Sequence, residues 1–389
     1  MSDQQTETQT SSNNKSQQRK KGLSIFILLL LLISIGSAAY WYLFIKGFEE
    51  TEDAYVSGNQ VMVSAQVAGN IAKINVDNMD PVQAGDVLVE LDDTNAKLSF
   101  EQAKSNLANA VRQVSQLNYT VKQLKSAVRA NEITLAQAQG NLNRRVQLVK
   151  DGAIDKESFQ HAKEAVELAK ANLTTSQNQL GANQALLLDG PLSEQPQIQS
   201  AVSNLKQAWL NLERTKIRSP IKGYVARRNA QVGQAVSVGG ALMAVVTTDQ
   251  MWLDANFKET QLTHMRIGQP VEIHFDLYGK DKTFNGKVVG IEMGTGSAFS
   301  LLPAQNATGN WIKVVQRVPV RIQLDPQQLA ENPLRIGLSA TVKVNVSDSK
   351  GETLRDQAPA TTLYSTNVLQ YDESAVNNLI ESIIRDNSY

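Results

Sequence analysis

This sequence has few side chains of the types that catalyse reactions or bind metals, and their spacing does not match that of known catalytic or metal sites. The chain contains no cysteine, which excludes disulfides, thiol nucleophiles and cysteine metal sites. Its three histidines, His161, His264 and His274, do not have the close spacing of a zinc site, and surface or strand-edge positions are expected for them. Asp92 and Asp93 resemble an acid/base pair, but they stand just before a strongly helical stretch, which predicts helix capping instead.

No catalytic or nucleotide-binding motif accompanies these residues. The sequence lacks a Gly-x-Ser-x-Gly elbow, a Walker loop and a dinucleotide fingerprint, so we expect neither an enzyme nor a bound cofactor or metal. The formal net charge is zero, with 38 basic and 38 acidic residues, so nothing in the bulk charge attracts nucleic acid. A chain of 389 residues is long enough for two or three domains.

An apolar segment near the N-terminus is long enough to cross a bilayer. The run from Leu23 to Ile45 carries no charge, and the basic group Arg19–Lys21 precedes it. Basic flanks stay in the cytoplasm. We therefore expect residues 1–21 to be a disordered cytoplasmic tail and residues 22–46 to be a transmembrane helix.

The rest of the chain is then expected to face the other side of the membrane, which the protein crosses once. A cleaved signal peptide is the alternative, because Ser37-Ala38-Ala39 resembles a cleavage site. The apolar run continues past Ala39, which favours an uncleaved anchor.

A repeat that is split apart organises the remaining sequence. Residues 63–89 resemble residues 217–243 at a constant offset of 154, the repeat offset, and both copies alternate apolar and polar residues as half-buried strands do. Neither copy is long enough for a core of its own, so we expect residues 51–93 and 216–248 to pair as one β-module. Each copy has two glycines 16 apart, where a tight bend or a positive φ is expected. These glycines are Gly69, Gly85, Gly223 and Gly239.

A long helical hairpin is expected between the two halves, over residues 94–215. Apolar residues step by three and four from Leu107 to Val149, which is typical of a coiled coil. A second seam runs from Phe159 to Leu187. Two long helices with a short connection are antiparallel neighbours, which places the tip near residues 150–155.

The returning arm of the hairpin is interrupted. The step from Leu187 to Ile198 exceeds one heptad by about one helical turn, a stutter that shifts the register of the seam. Two prolines, Pro191 and Pro196, lie within this step. We expect a kink or loop there, followed by a last helix that ends at Arg214.

Short strands dominate the sequence after the second half-repeat. Together with a single short helix from Glu259 to Met265, they predict a small β-barrel over residues 249–347. The stretch from Gly294 to Asn310 is too long for a hairpin turn and is expected to be mobile or a docking loop. In the tail, residues 348–389, one apolar helix face is expected to bind a partner or to pack on the body.

One anchor, a split β-module, a long helical hairpin and a barrel together resemble the membrane fusion, or periplasmic adaptor, family of Gram-negative bacteria, the HlyD-like group. Within that group the sequence is similar to the EmrA-type multidrug adaptors. The stretches that carry this similarity are Thr51–Val56, Asp254–Gln261 and Thr308–Arg317. The resemblance implies an α+β multi-domain fold in which the split module is lipoyl-like.

The same resemblance implies that the protein crosses the bacterial inner membrane once, with its N-terminus in the cytoplasm and its body in the periplasm, and it implies the partners of the protein. They are a major-facilitator drug/proton antiporter in the inner membrane, a TolC-like outer-membrane channel and further copies of the chain. A lipoyl domain carries its cofactor on a lysine just after its first repeat, and Asn95 stands near that place here, so no lipoyl group is expected.

The resemblance also points to residues for docking. Adaptors that meet TolC-like channels often show an Arg, a Leu four residues later and a Ser seven after that at the hairpin tip; here Arg144 and Leu148 fit, and Asp155 replaces the serine. The seam places Arg145 in the core register, which leaves Arg144 free to reach a partner. In the barrel, the candidate docking loop comprises Thr308, Gly309, Asn310 and Trp311.

Two other functions fit parts of the sequence. One is an adaptor of an ABC-type exporter of peptides or proteins, and the other is a membrane-anchored coiled-coil scaffold. A scaffold needs neither the split repeat nor the barrel, and the stretch around Trp311 favours the EmrA-type adaptors over those of ABC exporters.

Overall fold

The computed structural model describes Leu23 and residues 26–37, 47–279, 281–296, 298–299, 315–357 and 362–388. Residues 26–37 form a helix, α1, whose side chains are exposed. No helix among the described residues is both long and apolar enough to span a membrane. The predicted tail, residues 1–21, and Ile45 at the end of the predicted span lie outside the described residues.

The described chain forms two compact units. One unit comprises the described residues of 1–61 and of 246–365, and the other comprises residues 62–245 and 366–388. The first unit holds a β-barrel. The second unit holds the β-module, the helical hairpin and the C-terminal helix.

The β-module is built from two halves with the same strand plan. Its strands are the end of β1 (Phe48–Ser64), β2 (Gly69–Ile74), β3 (Pro81–Val82), β4 (Val87–Leu91), β5 (Lys216–Arg218), β6 (Gly223–Arg228), β7 (Ala235–Val236) and the beginning of β8 (Ala241–Lys258). The bounds of β2 and β6 differ by the repeat offset, and so do those of β3 and β7. The split repeat of the sequence is therefore a structural repeat.

The two halves bind each other reciprocally through their strands. β3 of the first half pairs with β6 of the second, and β7 of the second pairs with β2 of the first. One core encloses both halves, and the equivalent residues Ile71 and Val225, like Leu88 and Leu242, are almost fully buried in it. This arrangement confirms the prediction that the half-repeats form a single module.

Of the two glycine pairs in the module, one has the predicted backbone conformation and the other does not. Gly85 and Gly239 have φ of 96° and 83°, as expected for a tight turn. Gly69 and Gly223 are instead the first residues of β2 and β6 and do not have positive φ, so the predicted bend is wrong for them. The bends lie just before these glycines, at residues 66–67 and 220–222.

Three helices form the hairpin. They are α2 (Thr94–Lys150), α3 (Lys156–Gln184) and α4 (Pro196–Glu213), and α2 alone has 57 residues. At 1.5 Å per residue, α2 is about 85 Å long. Because α2 and α4 are joined to β4 and β5, the hairpin leaves the module and returns to it.

The predicted seams hold α2 and α3 together. Val121 and Val128 of α2 are buried, as are Ala162 and Val166 of α3. The polar pair Asn131 and Ser176 sits in the same seam, with 2.6 Å between the Asn131 amide and the Ser176 hydroxyl. Such a buried polar pair fixes the register of a coiled coil.

The seam shifts near the tip, which corrects one prediction. Arg145 is exposed, and its neighbour Val146 takes the half-buried position instead. A charged guanidinium is costly to bury without a partner, whereas valine packs between the helices.

The interruption of the returning arm is confirmed as a loop. Between α3 and α4 the chain forms only a short 3₁₀ helix, Leu192–Glu194. The buried Gln195 side chain accepts a hydrogen bond from the Leu188 amide at 3.0 Å and donates one to the Leu188 carbonyl at 2.9 Å. This amide clasp satisfies backbone groups that a helix would otherwise pair.

The barrel unit adds four strands to the ends of β1 and β8. They are β9 (Pro270–Phe275), β10 (Phe284–Ile291), β11 (Arg317–Leu324) and β12 (Ser339–Asn345). The order β1-β12-β9-β10-β11-β8, with a further pairing of β1 with β8, closes the sheet around an apolar core that includes Phe257 and Phe275. The predicted short helix is a 3₁₀ turn, Glu259–His264.

A second short helix in the barrel unit, α5 (Pro326–Glu331), escaped the sequence analysis. The Asp325 side chain caps it by accepting from the Gln327 amide at 2.9 Å, and Pro326 occupies its first turn. Asp followed by Pro is a start signal that would have revealed this helix.

The C-terminal helix α6 (Ser374–Asn387) packs against the base of the hairpin. Val376 and Ile380 are buried in a cluster with Leu107 of α2 and Ile198 of α4. Of the two expectations for its apolar face, packing on the body is the one observed.

Candidate interaction site at the hairpin tip

The tip is a turn in which the end of α2 is closed by hydrogen bonds. The amide of Gly152 donates to the carbonyl of Val149 at 3.2 Å, and that of Ala153 to the carbonyl of Leu148 at 2.8 Å. Gly152 has a φ of 72°, and this combination is a Schellman motif. The turn therefore has a fixed shape that holds the last residues of α2 in place.

Asp155 starts the returning helix α3. Its carboxylate accepts from the Ser158 amide at 3.4 Å, and it has the extended backbone of an N-cap. The hydrogen bond with the Ser158 side chain, helped by the Ser158 amide, lowers the pKa of Asp155. Aspartate thus caps the helix as serine would, and adds a negative charge at the positive end of the helix dipole.

The predicted contact residues Arg144, Leu148 and Asp155 are all exposed near the tip. Arg144 is exposed, and Leu148 is 41% exposed although its carbonyl is held inside the turn. The Arg144 guanidinium donates to the Asn141 side chain, one turn before it. A basic group and an apolar group one helical turn apart on α2, and the carboxylate that starts α3, are therefore exposed to solvent near the tip.

A second surface gathers parts of the stretches that carry the family resemblance. The Asn256 carbonyl accepts from the Thr51 hydroxyl at 2.9 Å and from the Arg317 guanidinium at 3.0 Å, and the Asn256 amide donates to Asp53 at 3.1 Å. Arg317 also lies 3.3 Å from the Asp53 carboxylate. We call these four residues the barrel-rim cluster.

The cluster is extended by a side-chain clasp at the end of β8. Gln261 accepts from the Lys258 amide and donates to the Glu50 carbonyl, both at 3.0 Å. These contacts pin the beginning of β1 to the end of β8. No pattern in the sequence indicated that three separate stretches meet there. The predicted docking loop, Thr308–Trp311, lies outside the described residues.

The residues first considered for chemistry have structural roles. Asp92 accepts from the amide and the hydroxyl of Thr94 at 3.0 and 2.7 Å, and these bonds lower the pKa of Asp92. Asp93 holds the N-cap position of α2 without a side-chain cap bond, and its carboxylate pairs with Lys97 at 2.9 Å. The two carboxylates therefore start a helix.

The histidines are dispersed in the structure. His161 is an exposed side chain of α3 between Glu157 and Glu164, whereas His264 ends the 3₁₀ turn and His274 is half-buried on β9. In the described part of the chain, no three His, Asp or Glu side chains are grouped so that they would hold a metal ion.

Two known domain families match this chain, and the residues that they match correspond to the helical hairpin and the β-barrel of the structure. Residues 94–215 match the EmrA α-helical hairpin domain, and residues 250–345 match the AAEA-like β-barrel domain.

The chain is also similar to characterised proteins over most of its length. It is 78% identical to the multidrug export protein EmrA of Haemophilus influenzae and 50% identical to that of Escherichia coli K12, covering 91% of each chain in both comparisons. It is 52% identical to the fatty acid resistance protein FarA of Neisseria gonorrhoeae, over 77% of this chain and 76% of that protein.

Among solved structures, the chain is similar to the periplasmic adaptor protein EmrA with 19% identity and a TM-score of 0.41, over 77% of this chain and 98% of that one.

Proposed function

Because the chain belongs to the EmrA-type membrane fusion protein family, we propose that it is the periplasmic adaptor of a tripartite multidrug efflux pump. It links a major-facilitator drug/proton antiporter of the inner membrane to a TolC-like channel of the outer membrane. In this role it carries out no chemistry of its own, and several copies assemble around the path of the drug.

The observation that carries this proposal is the hairpin. The 57-residue helix α2 leaves a closed module, and after the turn at Gly152 the chain returns to the same module through α3 and α4. This arm is about 85 Å long, and it ends in an ordered turn with exposed basic and apolar side chains nearby. Such an arm serves to reach a partner.

The N-terminal anchor, the barrel and the hairpin tip have different roles in the proposed pump. The N-terminal run from Leu23 to Ile45 anchors the protein in the inner membrane, with the N-terminus in the cytoplasm. The barrel-rim cluster fixes the chain where it enters the barrel, close to the start of β1 at Phe48, so the barrel lies near the antiporter. The tip residues Arg144, Leu148 and Asp155 contact the channel.

The test of the adaptor role is co-purification from the native membrane. The full chain, extracted in detergent through an affinity tag, is expected to bring down a major-facilitator transporter. Recovery of an ABC-type transporter instead would favour the alternative exporter class, and recovery of the chain without any transporter after mild cross-linking would favour a scaffold.

A further inference from the structure

The C-terminal segment crosses the joint between the β-module and the hairpin. We propose that residues 366–388 are a brace that holds the hairpin at one angle to the module. This inference does not depend on the export role, since it concerns the isolated chain.

The brace begins on the module. The Thr366 hydroxyl donates to the carbonyl of Pro220 at 2.7 Å, and the Tyr371 hydroxyl lies 3.3 Å from the side-chain oxygen of Gln66. Pro220 and Gln66 are separated by the repeat offset, so they are equivalent positions of the two half-repeats. The segment is therefore attached to both halves of the module at the bends that precede β2 and β6.

The same segment then attaches to the hairpin. The ring of Tyr371 stands edge-on to Trp209 of α4, with 6.3 Å between ring centroids. Lys206 of α4 lies 2.8 Å from the Glu373 carboxylate. Further along, Arg112 of α2 donates to Asn387 at 2.6 Å.

The apolar face of α6 supplies most of the attachment. The Val376 and Ile380 side chains are only 2% and 6% exposed. They lie in one apolar cluster with Leu107 and Leu205, which are fully buried. Burying aliphatic side chains of this size stabilises a packed helix much more than an exposed ion pair such as Lys206–Glu373 does. The helix is thus held mainly by packing, and a charge on this face is expected to release it.

Apart from the brace, the chain itself joins the hairpin to the module at two crossings. One lies between β4 and α2 and the other between α4 and β5, and they are joined by a hydrogen bond from the Leu91 amide to the Thr215 carbonyl at 2.9 Å. Two adjacent crossings allow rotation about the line between them. A third attachment on the Pro220 and Gln66 bends removes that freedom.

The absence of cysteine permits a direct test of the angle. Cysteines introduced at the exposed positions Gln83 of the module and Lys125 of α2 would carry spin labels, and the distribution of distances between them would be measured in the purified full chain. Three forms would be compared with the parent: a chain ending at Ser365, Ile380→Asp, and the control Asn378→Asp, whose side chain is exposed on the same helix.

We expect a narrow distribution in the parent and in Asn378→Asp, and a broadened one in the truncated chain and in Ile380→Asp. If the truncated chain does not fold, Ile380→Asp carries the test. An equally narrow distribution without the segment would overturn the proposal. So would a loss of helical signal greater than the 14 residues of α6 account for, because the segment would then be part of the hairpin core.

Discussion

Met79 and Gly233, which are separated by the repeat offset, occupy the same turn of the two halves of the module, with φ of 74° and 84°. The amide of Met79 donates to the carbonyl of Val225, and the amide of Gly233 donates to that of Ile71, both at 2.8 Å. Since Ile71 and Val225 are equivalent positions too, each half binds the other through the same pair of positions. Among the described residues, Met79 alone has a positive φ without being glycine.

We expect Met79→Gly to stabilise the module. A side chain in the left-handed region costs about 1–2 kcal/mol, and the greater freedom of glycine in the unfolded chain offsets roughly half of this. The free energy of unfolding in urea should rise by up to about 1 kcal/mol. The matched control is Val232→Gly. Val232 is exposed in the equivalent turn and does not have a positive φ, so this substitution should lower the free energy of unfolding. Equal losses from both would show that the turn is not strained.

The two kinds of module glycine should respond differently to alanine. Gly239 has a φ of 83° and nothing within 4 Å of an added Cβ, so Gly239→Ala has a purely conformational cost of about 1–2 kcal/mol. At Gly69 an added Cβ would meet Leu91 at 3.6 Å, an ordinary contact, and the strand backbone accepts alanine. Amide hydrogen exchange at the Gly239–Ala65 hydrogen bond should accelerate in Gly239→Ala only. Acceleration in Gly69→Ala would contradict the strand assignment.

Much of this fold could be predicted because it rests on periodic patterns. The repeat offset, the heptad seams and the break after Leu187 are properties of spacing, and each has a counterpart in the structure. Positive φ at Met79 has no signal in the residue type, since methionine is rare in that conformation. The exposure of Arg145 depends on how the seam ends at the tip, which a repeat pattern does not record.

The contacts between stretches that are distant in the sequence could not be predicted either, because they depend on how the barrel closes. Thr51, Asn256 and Arg317 meet only because the barrel closes β1 on β8 and pairs β11 with β8. In the same way, the amphipathic pattern of α6 predicted a buried face but not its partner. The role of Arg144 and Leu148 came from a resemblance, and contact with a channel stays a prediction.

The cap at Asp155 predicts a pH dependence of hairpin stability. The pKa of Asp155 is lowered from its ordinary value of 3.8 in the folded state, so its contribution is present above pH 3.8 and is lost as the pH falls through the lower folded value. The melting temperature of Asp155→Asn, measured by circular dichroism, should be lower than that of the parent at neutral pH. This difference in melting temperature should vanish in strong acid. The neutral cap Asp155→Ser should behave like Asn. A difference of equal size at both pH values would exclude the charge as its cause.

The anchor predicts a single topology. With Arg19–Lys21 on the cytoplasmic side, protease added outside spheroplasts should digest the body and leave a protected N-terminal fragment that ends near residue 46. The fragment would be detected through an N-terminal epitope, with a cytoplasmic protein as the control for intact spheroplasts. A mature protein that begins at Tyr40 would show instead that the segment is a cleaved signal peptide.

Drug resistance of the variant Arg144→Asp/Leu148→Asp tests most directly whether the hairpin tip meets the outer-membrane channel. The matched control is Arg129→Asp/Ile133→Asp, which changes the same residue classes at the same spacing on exposed positions of α2 away from the tip. We predict that the tip variant loses resistance while it reaches normal levels and still co-purifies with the inner-membrane transporter, and that the control keeps resistance. Full resistance in the tip variant at a normal protein level would contradict the account.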